Sequence, residues 1–185
     1  MSTTAVRSTP RTNLTAGAAY GAGAGVVASV AMGMYAMVAS YLKDTGFFTP
    51  LHHIASLVAD PSSMVDSMTA HQMEGDGFVV TAGVALLGAV IHMMTGAMYG
   101  AVLGLAVARL RVGTSALAGI GLAYGALVFV MSAFVGLPLA ATVLDAGDPI
   151  ADMASMAGWW TFLVEHLVFG LVAAVLVGGA LRKRA

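Results

Sequence analysis

The chain has 185 residues, 59% of them hydrophobic and 9% charged, with a formal net charge of −1. Soluble domains carry about 25% charged residues, so this composition excludes a soluble globular fold and points to an integral membrane protein. The near-neutral balance offers no basic face for nucleic acid. The absence of cysteine removes disulfides, thiolate metal sites and cysteine nucleophiles.

Residues 1–16, MSTTAVRSTPRTNLTA, are polar and short. They predict a disordered cytoplasmic tail ahead of a single domain over 17–185. Apolar runs of more than 18 residues read as membrane spans. Four occur, at Gly17–Leu42, Phe78–Ala108, Ala116–Leu139 and Trp159–Leu181. In lipid the backbone must close its hydrogen bonds within each segment, so all four should be helices. The first run is too long for a signal-peptide core and shows no convincing cleavage site, so it reads as a retained span. The fold predicted is an all-α integral membrane protein of four transmembrane helices in two tandem helical hairpins, 17–110 and 111–185. The run Gly21-Ala22-Gly23-Ala24-Gly25 mimics a dinucleotide loop, but no strand precedes it and it opens a span.

The segment after span one holds TPLHHIASLV (49–58), which places Leu51, Ile54, Leu57 and Val58 on one side. It predicts a short amphipathic helix on the membrane surface. DPSSMVDSMTA (60–70) and DPIADMASMAG (148–158) both start with Asp-Pro, a cap followed by a proline at the first helical position. Phe47, Phe48, Trp159 and Trp160 fall where an interfacial aromatic belt belongs. Of the eight Lys and Arg, all but Lys43 lie in the N-terminal tail, the turn at Arg109 and Arg111, or the C-terminus; eight of the nine acids lie in the two other connecting segments. Positive residues stay inside, so the chain is predicted to be a multi-pass protein of a bacterial-type cytoplasmic (inner) membrane with both termini cytoplasmic.

Small residues recur every four positions. Span one carries Gly17, Gly21 and Gly25, continuing to Ser29 and Gly33. Span two carries Gly88, then His92, then Gly96, Gly100 and Gly104. Span four carries His166, then Gly170, Ala174 and Gly178. Such stripes let helices pack closely where no hydrophobic force drives them together. They predict a compact four-helix bundle in contact with membrane lipids, with further membrane subunits or a homo-oligomer as possible partners.

Two constellations could carry chemistry. His92 and His166 lie 17 and 16 residues before Arg109 and Arg182, about 24–26 Å along a helix. That puts both in the outer leaflet, with Glu165 beside His166. A buried carboxylate costs several kcal/mol unless paired or protonated, and His92 is its candidate partner. His92, His166 and Glu165 could hold a transition metal or, through two imidazoles, a b-type haem. They could also form a hydrogen-bonded His–Glu–His tie that orients the helices, or a proton or ion path. The second set is outside: Met64, Met68, His71 and Met73 from the first segment, preceded by His52 and His53, with Met153 and Met156 from the second. Thioether and imidazole without thiolate suit copper. The same methionines also suit the apolar faces of two short helices.

The back half, from VIHMMTG (90–96) through RLRVGTSALAG (109–119) to VEHLVFGLV (164–172), resembles the YagU-like inner-membrane proteins. That resemblance implies a membrane protein of unsettled role. The functional expectation is a non-catalytic accessory or binding protein holding copper or haem. The alternatives are a structural subunit of a larger complex and a small proton-coupled permease titrating at Glu165.

Overall fold

The computed structural model describes residues 14–110 and 114–182. The expected tail lies outside these residues except for its last three, which already belong to the first helix; Arg111, Lys183 and Arg184 lie outside as well. Every regular element among the described residues is helical. Helix α1 is Leu14–Tyr41, α2 Thr49–Ala55, α3 Ser62–Thr69 and α4 Ala82–Leu110. Helix α5 is Thr114–Met131 and α6 Leu137–Val143; α7 is Gly147–Ala151, α8 Met153–Ala157 and α9 Trp159–Arg182. Four helical stretches are long and apolar enough to cross a membrane: Leu14–Tyr41, Ala82–Leu110, Ala116–Val143 and Trp159–Arg182.

Two boundaries differ from the sequence reading by four residues, and the others by three or fewer. The second span starts at Ala82 rather than Phe78 because residues 78–81 cross the end of the bundle outside the helix. There Phe78 packs on Tyr41 and Phe47, and the Thr81 N–H donates to His52 Nε2 at 3.2 Å. The third span continues to Val143, past Pro138. A proline has no N–H and strips a helical bond from the turn before it. The chain answers with a π-helical turn, Ser132–Gly136, in which the Leu137 N–H reaches back five residues to the Ser132 carbonyl.

Helix α1 runs antiparallel to α4, and α5 antiparallel to α9. Gly17, Gly21 and Gly25 face Gly104, Gly100 and Gly96 in reverse order, and Gly121 and Gly125 face Gly170 and His166. Helix α9 also packs along α1, whereas α4 and α5 make little contact with each other. The four long helices therefore form the row α4–α1–α9–α5, curved enough for the Tyr124 hydroxyl to donate to the Tyr99 carbonyl at 2.6 Å. The core lies at the α1–α9 seam, where Ala28, Leu103, Ala173, Ala174 and Val177 have no exposed surface. Small side chains there bring the helix axes close.

The stripes meet backbone. A methyl group on Gly100 would lie 2.6 Å from Gly25 Cα, and one on Gly104 would lie 2.8 Å from Gly21 Cα. One on Gly17 would lie 2.8 Å from Ala108 Cβ. Gly170 is closed in the same way by Gly125, at 2.8 Å, and Gly178 by Leu117. Gly88 differs: it faces the Leu51 carbonyl, so it seats α2 rather than a span.

One end of the row carries α2, α3, α7 and α8, hereafter the loop end; the other carries Leu110 and Arg182. The loop end is stitched across the sequence. His53 Nε2 donates to the Pro149 carbonyl at 2.5 Å, joining the two connecting segments. Lys43 Nζ donates to the Ala157 carbonyl at 2.7 Å and to the Thr161 hydroxyl, joining the end of α1 to the start of α9. The Gly46 N–H donates to His71 Nδ1 at 3.0 Å.

Candidate functional site

Beneath the loop end lies a cavity of ≈370 Å³, within the range of small-molecule pockets. Its walls come from α1, α4, the α5–α6 junction and α9, and α2, α7 and α8 roof it. It exists because α4 and α5 do not close on each other at this level. The π-helical turn contributes Ser132 and Gly136 to the wall, and Leu137 follows. Such turns displace a helix face by a fraction of a turn and recur at functional sites.

Helix α4 positions His92 one turn before Gly96, opposite Ser29 and Gly33 of α1. His92 Nε2 stands 3.0 Å from the Ser29 carbonyl oxygen. A carbonyl only accepts, so Nε2 carries the hydrogen and a neutral ring keeps its lone pair on Nδ1. In α9, His166 Nδ1 donates to the Phe162 carbonyl at 2.6 Å, which leaves the lone pair on Nε2. The His166 ring packs on Phe162 at 4.5 Å and edge-on to Phe129 at 6.1 Å. Glu165 is buried, 6% exposed, and makes no hydrogen bond or ion pair with the described residues. All three side chains line the cavity, and so does Lys43, whose field reaches Glu165.

The His–Glu–His tie is therefore not formed. Each histidine is anchored on a backbone carbonyl, and Glu165 bonds to neither. No group of three or more His, Asp or Glu among the described residues converges closely enough to hold a metal ion. A haem between the two histidines meets a further obstacle. His92 offers Nδ1, which is crowded by its own Cβ against a flat macrocycle, and its Nε2 is occupied by Ser29.

The outer set is only partly gathered. Met68, Met153, Met156 and His53 line the same cavity as the span histidines. Met64 is buried away from it, and Met73 is 80% exposed. His71 stacks on Tyr41 at 5.0 Å, holds the Gly46 N–H, and lies 3.8 Å from Asp44. His52 is spent on Thr81; its buried Nδ1 has no hydrogen-bond partner. Burial holds both His52 and His53 below the ordinary imidazole range, and at His53 the hydrogen bond to the Pro149 carbonyl works against that lowering. His52, His53 and His71 thus each fix a backbone group of another segment, which accounts for their placement without a metal. Of the aromatic belt residues, Trp159 and Trp160 are exposed, while Phe47 packs on Phe48 and Phe78.

Sequence reasoning missed Gly121, Gly125, Lys43 and the π-helical turn. The first two were visible as a four-residue spacing in GLAYG, and Lys43 as the one basic residue in the connecting segments rich in acids. Nothing in the sequence shows that the turn before Pro138 faces a cavity.

No protein-family model matches the chain, and no curated protein or solved structure matches it.

Proposed function

We propose that the protein is a multi-pass membrane binding protein whose ligand occupies the cavity under the loop end. The observation that carries this reading is that Glu165, His92 and His166 all line one apolar-walled cavity, each with an unspent polar atom. A core carboxyl and two imidazole lone pairs left without protein partners are costly unless something meets them. In the membrane the chain is two tandem hairpins with both termini cytoplasmic. Arg109 and Arg182 then face the cytoplasm and the acids of the loop end face outward.

The test is to purify the protein in mild detergent and weigh it intact by native mass spectrometry, with elemental analysis and an absorption spectrum alongside. One small molecule or metal per chain is expected, lost when Ala36→Trp fills the cavity. An empty chain that no small ligand stabilises would overturn the reading. Orientation is checked on the cysteine-free chain with Met73→Cys. Labelling by an impermeant thiol reagent from the outer face is expected, and labelling only after lysis would reverse the topology.

A second reading, a transition metal with copper first and haem b second, draws on Met68, Met153 and Met156, which share the cavity with the histidines. It requires side chains that do not now converge to do so on binding. Stoichiometric copper or a Soret band lost in His92→Ala and His166→Ala would establish it.

A further inference from the structure

The binding reading leaves the chemistry of the ligand open, and the placement of charge in the cavity narrows it. Resting on that reading, we infer that the cavity accepts a lipophilic organic cation, with its charged head at Glu165 and its apolar body along the methionine- and aromatic-rich wall.

The titratable groups free at the inner part of the site are the Glu165 carboxyl, His166 Nε2 and His92 Nδ1, and the free donors beside them are the neutral hydroxyls of Ser132 and Tyr99. An anionic head would meet the Glu165 carboxylate and two imidazole lone pairs with only neutral hydroxyls to donate to it, and no N–H faces a neutral carbonyl. A cation satisfies the carboxylate directly, and it is the species a membrane-embedded carboxylate most lacks.

The walls fit the same answer. Phe162 and Phe169 of α9 and Tyr99 of α4 line the cavity. Aromatic faces attract a desolvated cation through the ring quadrupole. A bare metal ion is a poor match, because it needs several hard or soft ligands within about 2.0–2.6 Å. Here the space measures ≈370 Å³ and no set of three His, Asp or Glu among the described residues is close enough to hold an ion.

Lys43 could serve as the counter-ion instead, and its geometry argues against that. Two of its three hydrogens go to Ala157 and Thr161, and it makes no ion pair with Glu165 within 4.0 Å. Thr161 precedes Glu165 by four residues, so Lys43 is tied to the helical turn before the carboxyl rather than to the carboxyl itself. It polarises the cavity along its length, with positive charge at the roof and negative charge deeper. A cationic amphiphile should enter head-first only from the side where α4 and α5 leave the wall unpacked. An entry past Lys43 would bring like charges together.

The experiment uses three probes with one fluorescent body: diphenylhexatriene bearing a trimethylammonium head, the uncharged parent, and the propionic acid. Each is titrated into full-length protein in detergent at pH 8. Energy transfer from Trp159 and Trp160 is read above the background of protein-free micelles. The expected result is saturable binding of the cation at one per chain, at least tenfold tighter than the neutral parent, and no saturable binding of the anion. Glu165→Gln should weaken the cation at least tenfold and leave the neutral probe unchanged, while Lys43→Met should bind the cation at least as tightly as the natural chain. Those opposite responses are not what general damage to the fold produces. Equal binding of cation and neutral parent, or an unaltered cation affinity in Glu165→Gln, overturns the cation inference and leaves the binding reading standing. Absence of saturable binding by all three probes, in protein that elutes as a single folded species, counts against both.

Discussion

Between Gly17 and Gly25, α1 meets Gly96–Gly104 of α4 backbone to backbone. One to two turns further along the same pair, at Ser29 and Gly33, the helices stand around His92 and a cavity begins. The periodicity of small residues is unbroken on α1 through both regions. What changes is one position on α4, where an imidazole replaces a glycine in the series Gly88, His92, Gly96. An imidazole in a glycine stripe must either clash or find room, and here it spans to the Ser29 carbonyl. In lipid, where apolar contact with a neighbour gains little over contact with acyl chains, closure needs small residues and one large polar residue can keep a seam open.

The largest effect should come from breaking the closed region. Gly100→Leu places a branched side chain against the backbone of Gly25, for which overpacking costs of 1–3 kcal/mol are a floor, so a loss of over about 3 kcal/mol is expected. Unfolding in a mixed-detergent titration measures it. Full stability in this variant would mean that the α1–α4 seam is looser than described.

The loop end should be next. His53→Ala removes the bridge to Pro149 and leaves a part-buried carbonyl without its donor. A loss of about 1–3 kcal/mol is expected, with His53→Gln recovering part of it. The closed seam and the roof are then ranked by the same titration.

A smaller effect separates the two regions by pH. Burial holds the folded-state values of His52 and His53 below the 6.5 of a free imidazole. Between the two values the unfolded chain binds more protons, so stability rises with pH there. It is fully present above about 6.5 and is lost as pH falls through the folded values. Unfolding of the loop end, followed by hydrogen exchange, should accelerate below that pH, while the glycine seam shows no such dependence. A pH-independent loop end would remove the two histidines from the account of its stability.

The smallest effect is a control. Gly23 lies on α1 between the stripe positions, and a methyl group there would meet nothing within 4 Å. Gly23→Ala should be neutral or stabilising by up to about 1 kcal/mol, since alanine is the better helix former. If it proved as damaging as Gly100→Leu, register rather than composition would be in question.

Much was legible from the residues. Apolar run length set the four spans, because backbone groups in lipid have no partner other than their own helix. The four-residue spacing of glycine set which face of α1, α4 and α9 meets a neighbour. The inward placement of His92 and His166 followed from their positions on those faces. Other features depended on contacts remote in sequence. Whether Glu165 bonds to His92 depends on rotamers set by Ser29 and Phe162, and the answer is that each histidine takes a carbonyl instead. The outer methionines could not be sorted in advance, because a short amphipathic helix buries one side and presents the other whatever its purpose. Met64 and Met73 therefore part company, while Met68, Met153 and Met156 reach the cavity.

The sequence by itself determined that this is a four-span helical membrane protein with close-packing faces, since length, hydropathy and small-residue period act locally and repeat along each helix. Only the tertiary structure decided that the long helices form the row α4–α1–α9–α5, and that Pro138 opens a π-helical turn facing the gap. It also decided that Lys43, Glu165, His92 and His166 share one cavity. Those outcomes depend on which seams close first, and a seam closes where backbone can touch backbone, a property of two helices together rather than of either alone.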